Sequence, residues 1–339
     1  MNGLDLDFSH RLEYIDTLKG IGILLVLLGH VSGLPSALHD IIYSFHMPLF
    51  FVISGFLFSG RPPVYSYVKK KFFRLIVPAW FMGLICGGPF FILLLLGKVE
   101  STEFLSRFLG TLGGYPSGDN NFHCSPIWFL FAVFWVDVLA VTLLRVIGEF
   151  WLVGLLVIGL VGGYLSQMFD GYFVFNINIA FTSIQYFIVG ILLRRFNGFS
   201  SDALLLFGLV MFLVCYYLSP EVINLSENFI GGKWFVFTFI GAVGATMFSV
   251  YVSKKVDSKA IRWLGKNTIY IIGFDYYINS LSDFIVSSLG DSYWYVNFIV
   301  KLILMFILVK VLSKIYVVNE VISGRANLLG LNDVFRFRY

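Results

Sequence analysis

Two histidines stand in adjacent apolar runs, His30 in LEYIDTLKGIGILLVLLGHVSG and His46 in FHMPLFFVISGFLF. An ionisable group in hydrocarbon is costly, roughly 2.5 kcal/mol or more for Asp, Lys or Arg at a helix centre, and so usually marks a function. A neutral imidazole is suited to taking a proton from a hydroxyl, because its ordinary pKa of about 6.5 lies close to working pH. Asp16 and Lys19, three residues apart at the start of the same run, share a helical face. His30 follows Lys19 by eleven residues, about three turns, which returns it to nearly that face roughly 16 Å further along. The turn between the two runs is expected to centre near Leu38, eight residues from each histidine, placing both at similar depth in a shared cavity. The plainer reading of either histidine is a hydrogen bond to a neighbouring carbonyl.

Other polar groups invite the same question. In KKKFFRLIVPAW, Lys71 and Arg74 fall on one helical face and could grip a phosphate. The plainer reading of this basic cluster is attraction to anionic lipid. Asp275, Asn279 and Asp283 recur at helical spacing along another apolar run, with Lys301 on the next run as a partner for one of the acids. A structural Asp–Lys tie is the plainer account of Asp275. Asp137 is a further acid in an apolar run, with no role that sequence assigns. Cys86, Cys124 and Cys215 are far apart, with neither metal-ligand spacing nor a disulfide framework.

The elements that must position these groups are membrane helices. The 339 residues are 58% hydrophobic and 13% charged, about half the charge of a soluble domain. The expected fold is all-α: a polytopic integral membrane bundle of about ten transmembrane helices with both termini cytoplasmic. At about 20 residues per crossing, the runs lie near 17–34, 41–59, 76–97, 126–147, 150–168, 177–193, 202–218, 233–252, 267–288 and 293–316. With the N-terminus inside, every Lys and Arg of the 24 except Lys98, Arg107, Lys233 and the intraspan Lys301 falls at the inner side. That bias accounts for the net charge of +4, and no basic–aromatic pattern suggests nucleic acid. No cleavable signal segment is expected, the first run being read as a retained helix. A membrane domain over 1–318 and a short cytoplasmic tail over 319–339 are expected, with a small outer cap near 98–125 carrying Asp119, His123 and Cys124.

The series Arg11, Asp16, Lys19, His30, then FHMPLFFVISGF, KFFR, IWFL at 127–130 and LGKNT at 264–268 resembles acyltransferase family 3, a group of polytopic membrane proteins. The wording is most similar to the branch of sugar O-acetylases acting on bacterial surface polysaccharides such as O-antigen or capsule. The resemblance runs along about the first 290 residues and is most specific across 11–74. It implies a multi-pass protein of the bacterial inner membrane, a cytosolic acyl-CoA donor, usually acetyl-CoA, and an acceptor hydroxyl on a glycan or its lipid-linked precursor. Membrane lipids are the surroundings; no bound cofactor or metal is implied. The family's first-span pattern is a basic residue, ten residues and a histidine, here Lys19 and His30, with lysine where arginine is usual. Its pair of arginines separated by two residues matches Lys71 and Arg74, again with lysine first, and lysine lacks the planar fork that grips a phosphate twice. The resemblance thus implies His30 and His46 as catalytic candidates and Lys19, Lys71 and Arg74 as donor-binding, with Arg11, Asp16 and Asp275 in support. A transporter or flippase of a lipid-linked sugar is the alternative class, although the ionisable groups concentrate at the inner mouth and around the histidines rather than along a full path.

Overall fold

The computed structural model describes residues 13–60, 62–168, 173–229, 235–290 and 293–324, and the facts below concern these. Arg11 lies outside them, as do residues 325–339 of the expected tail. Helices account for nearly all the regular structure, and the one isolated bridge joins Asn224 and Phe229. This is the architecture that hydrocarbon demands, since a helix satisfies its own backbone groups.

The α-helices run in chain order as α1 (Glu13–Gly29), α2 (Ser36–Tyr43), α3 (His46–Phe56), α4 (Val64–Lys71), α5 (Val77–Leu95), α6 (Ser101–Gly113), α7 (Trp128–Val146), α8 (Trp151–Ser166), α9 (Ile177–Arg195), α10 (Asp202–Leu218), α11 (Phe235–Lys255), α12 (Lys259–Lys266), α13 (Thr268–Ser288), α14 (Trp294–Leu312) and α15 (Tyr316–Ile322). Seven stretches are long and apolar enough to cross a membrane: Ser36–Phe56, Val64–Leu95, Ser125–Val146, Gly148–Ser166, Ile177–Arg195, Phe235–Lys255 and Trp294–Leu312. The other three expected spans fall on α1 and α10, each 17 residues, and on α13, 21 residues but interrupted by its acids. The protein is an all-α, multi-pass membrane protein.

Two compact units divide the chain. The first comprises Met1–Pro62, Leu139–Gly171 and Asn178–Thr268; the second comprises Pro63–Val138, Tyr172–Ile177 and Ile269–Tyr339. In the first unit α10 packs along α11, and α1 packs along both α12 and α11. Close helix crossings there rely on absent side chains: a Cβ at Gly55 would overlap the backbone of Phe187, and one at Gly265 would overlap the Asp16 carbonyl. Gly55 belongs to FHMPLFFVISGF and Gly265 to LGKNT, so both strings contribute contacts between helices. In the second unit α5 contacts α6 and α15. The expected boundary between 318 and 319 falls inside α15, whose Val318, Glu320, Val321 and Ile322 are buried.

The hairpin that carries the histidines departs from expectation. Leu38 lies inside α2 rather than at a turn. The chain reverses earlier, over residues 30–35, where Gly33 takes φ +77 and Pro35 precedes α2. Glycine occupies that left-handed conformation without steric cost. The helical run then breaks at Ser44 and Phe45, with Phe45 at φ −150. Pro48 accounts for the break: within a continuous helix its ring would clash with the carbonyl four residues back, that of Ser44.

Candidate active site

His30 is the residue immediately after α1, half-buried in the turn, and not deep within a span as the apolar run suggested. His46 is the first residue of α3 and is buried. Its Nδ1–H donates to the Ile42 carbonyl at 2.8 Å. That carbonyl sits at the break before Pro48 and also accepts the Phe45 N–H at 3.3 Å. The imidazole thus serves the carbonyl as a continuing helix would, and the bond leaves the His46 Nε2 lone pair unprotonated in the neutral ring.

Tyr43, the last residue of α2, joins the two histidines. Its ring lies edge-on to His30 at 6.3 Å and to His46 at 4.8 Å between centroids. It also stacks on His39 at 4.0 Å. Three imidazoles thus gather around one phenol. The early turn and the break at Ser44 bring them together in place of the symmetric hairpin expected. No group of three His, Cys, Asp or Glu side chains among the described residues could hold a metal ion. Imidazoles can move protons, and here His30 is half-buried while His46 is anchored to backbone. Sequence reasoning missed His39 and Tyr43; their signal was the helical spacing i, i+4 in SALHDIIY, hidden because the turn was placed across it.

Asp16 is buried in α1, roofed by Gly265 of α12, and Lys19 is half-buried one turn on. Arg262 of α12 pairs with Asp257 and lies 3.7 Å from Glu13. LGKNT is thereby explained as the close-packed end of α12, where Asn267 caps through Trp263 O at 2.8 Å and Thr268 through Gly265 O at 2.8 Å.

In the second unit, Lys71 and Arg74 sit in different surroundings, Lys71 half-buried and Arg74 exposed. A π-helical turn, Phe72–Ile76, interrupts the helix between α4 and α5. Such turns widen the spiral and commonly sit at functional sites. Lys71 donates to Asp137 Oδ2 at 2.6 Å, and the Tyr67 hydroxyl donates to Asp137 Oδ1 at 2.6 Å. The Asp137 side chain is 0% exposed and that of Lys71 25%, so the acid without a role is the counter-ion of this lysine. Arg74 is exposed and has no carboxylate partner among the described residues. Of the two cations expected to grip phosphate, Arg74 is the one left available.

Asp275 meets Lys301 at 2.9 Å with both side chains at 0% exposure, tying α13 to α14. Asp283 accepts from Asn297 and, at 3.2 Å, from Asn279, extending the tie. In the segment expected as a cap, Arg107 donates to Gly118 O at 2.9 Å and Asn121 O at 3.1 Å, and His123 stacks between Phe90 and Tyr276. Burial above all, and then the positive charge of Arg107, hold the His123 ring below its ordinary pKa.

The model of the acyltransferase domain of family 3 matches residues 12–323. The chain belongs to acyltransferase family 3. The match spans both compact units and ends just beyond α15, which places that helix within the family-3 domain. No curated protein and no solved structure matches the chain. An acyltransferase domain also sets aside the transporter alternative.

Proposed function

We propose that this family-3 acyltransferase moves an acetyl group from cytosolic acetyl-CoA to a hydroxyl of a cell-surface glycan or its lipid-linked precursor, in the bacterial plasma membrane. The observation that carries the reading is the half-buried His30 beside the anchored His46 and Tyr43. His30 acts as general base: an imidazole nitrogen takes the acceptor's proton as its oxygen attacks the thioester carbonyl. The C–S bond breaks, the imidazolium returns the proton to the departing thiolate, and the products are the acetyl ester and free CoA. His46 and Tyr43 hold the His30 ring and the local polarity. Arg74 receives donor phosphate, since a guanidinium grips it with two bonds. Lys71 contributes through Asp137 and Tyr67 rather than by direct grip.

The test is incubation of purified protein with labelled acetyl-CoA and total lipid-linked glycans, followed by mass analysis. A gain of one acetyl group that disappears with His30→Ala is expected, together with a raised acetyl-CoA KM in Arg74→Ala. Wild-type transfer by His30→Ala protein would overturn the assignment of the base.

A further inference from the structure

In KKKFFR the cation four residues ahead of Arg74 is Lys70, and the mechanism above does not use it. Lys70 and Arg74 are exposed, whereas Lys71 is half-buried against Asp137. The Val77 N–H reaches back five residues to the Phe72 carbonyl, as the π-helical turn requires. Pro78, next in the chain, has no N–H to give the Arg74 carbonyl, so an even ladder is already broken there. A wider turn takes more than 3.6 residues per revolution, so the position in line with Arg74 moves from three residues back towards four. Lys70 therefore takes the place beside Arg74 that Lys71 would share in an even helix. Gly324, just past α15, closes on the same arginine. A Cβ at Gly324 would stand 3.0 Å from Arg74 Cα, 3.1 Å from its Cγ and 3.2 Å from its Cβ, and the glycine holds φ +69. Glycine combines that conformation with that approach because it has no side chain. α15 is held there by buried Val318, Val321 and Ile322, and by the Tyr270 hydroxyl, which donates to Asn319 Oδ1 at 3.2 Å. The stem of Arg74 is thus packed although the residue as a whole stays exposed.

We infer that Lys70 and Arg74 together receive a phosphate of the acyl-CoA donor, and that Gly324 is the residue that positions Arg74. The inference rests on the acyl-transfer reading above and adds to it a second donor contact and a positioning contact. Lysine offers three N–H donors on a flexible stem and arginine a planar fork, so the two can take different oxygens of one phosphate. An arginine whose stem is already placed loses less freedom when its ligand arrives, and such preorganisation is read as affinity. The phosphate of a lipid headgroup has the same chemistry, and the test separates the two sources.

The full chain in phosphatidylcholine nanodiscs is titrated calorimetrically with acetyl-CoA and with acetyl-pantetheine, which lacks the phosphates. Lys70→Gln should weaken acetyl-CoA binding about fivefold or more, Lys70→Arg should restore it, and acetyl-pantetheine should not distinguish these proteins from wild type. Lys314→Gln removes the same charge from another exposed lysine and should bind acetyl-CoA as wild type does. Gly324→Ala should raise the acetyl-CoA KM with kcat retained, and should add nothing to the loss in Arg74→Ala, because it acts through that side chain. Additive losses in the double variant, or a fall in kcat alone, would overturn the positioning role. Wild-type acetyl-CoA affinity in Lys70→Gln would overturn the donor contact. If that variant instead retains less phosphatidylglycerol in mixed nanodiscs, read by native mass spectrometry, Lys70 holds a lipid headgroup and the donor contact falls. Acetyl-CoA binding that depends on Lys70, without acetyl transfer to any glycan, would leave the site standing and overturn the proposed reaction.

Discussion

At the scale of single residues, the two histidines stand in different surroundings although both flank α2. His46 completes the hydrogen bonding of a carbonyl exposed by a helix break, whereas His30 stands half-buried at a turn. Losing one of the two donors to that carbonyl costs about 1 kcal/mol, since the Phe45 N–H still reaches it. His46→Ala is therefore expected to lower the melting temperature, while His30→Ala melts as wild type but transfers no acetyl group. Thermal melts followed by tryptophan fluorescence, run beside the transfer assay, check both. A His46→Ala protein of full stability and no activity would move the chemistry to His46.

At the scale of elements, the π-helical turn decides which cation is free. An uninterrupted helix would have put Lys71 and Arg74 on one face; with the wider turn between them, Lys71 engages buried Asp137 and Arg74 stays exposed. Removing one partner of a buried ion pair costs roughly 3–5 kcal/mol, whereas removing both with apolar replacements is often neutral. Lys71→Met alone should thus be strongly destabilised, and Lys71→Met with Asp137→Leu should recover most of the loss. Denaturation midpoints of the two single variants and the double variant measure the coupling. Strict additivity would show that the pair contributes no mutual stabilisation, leaving Lys71 available to a donor phosphate.

At the scale of the whole molecule, the basic residues predict the orientation. The three native cysteines are buried, so a single introduced thiol gives an uncluttered readout. Exposed Ser101 and Lys259 lie on sides that the charge bias makes outer and inner respectively. In intact cells a membrane-impermeant maleimide should label Ser101→Cys and should reach Lys259→Cys only after permeabilisation. The reverse pattern would invert the topology and place Arg74 on the side away from the cytosolic donor.

What sequence alone determined is what depends on composition and local spacing. Hydrocarbon forces long apolar runs into helices, so the class and seven of the expected spans were legible, and the order of motifs marked the family. The Asp275–Lys301 tie was also anticipated, because few partners exist for a charge inside a bilayer. The tertiary structure decided what depends on small departures from an even helix. An early turn at Gly33, a break ahead of Pro48 and one π-helical turn shift the angular register of everything that follows. Those shifts brought His39 and Tyr43 to the histidines and gave Asp137 to Lys71. Periodicity assumes constant rotation per residue, and the candidate site is built where that rotation changes.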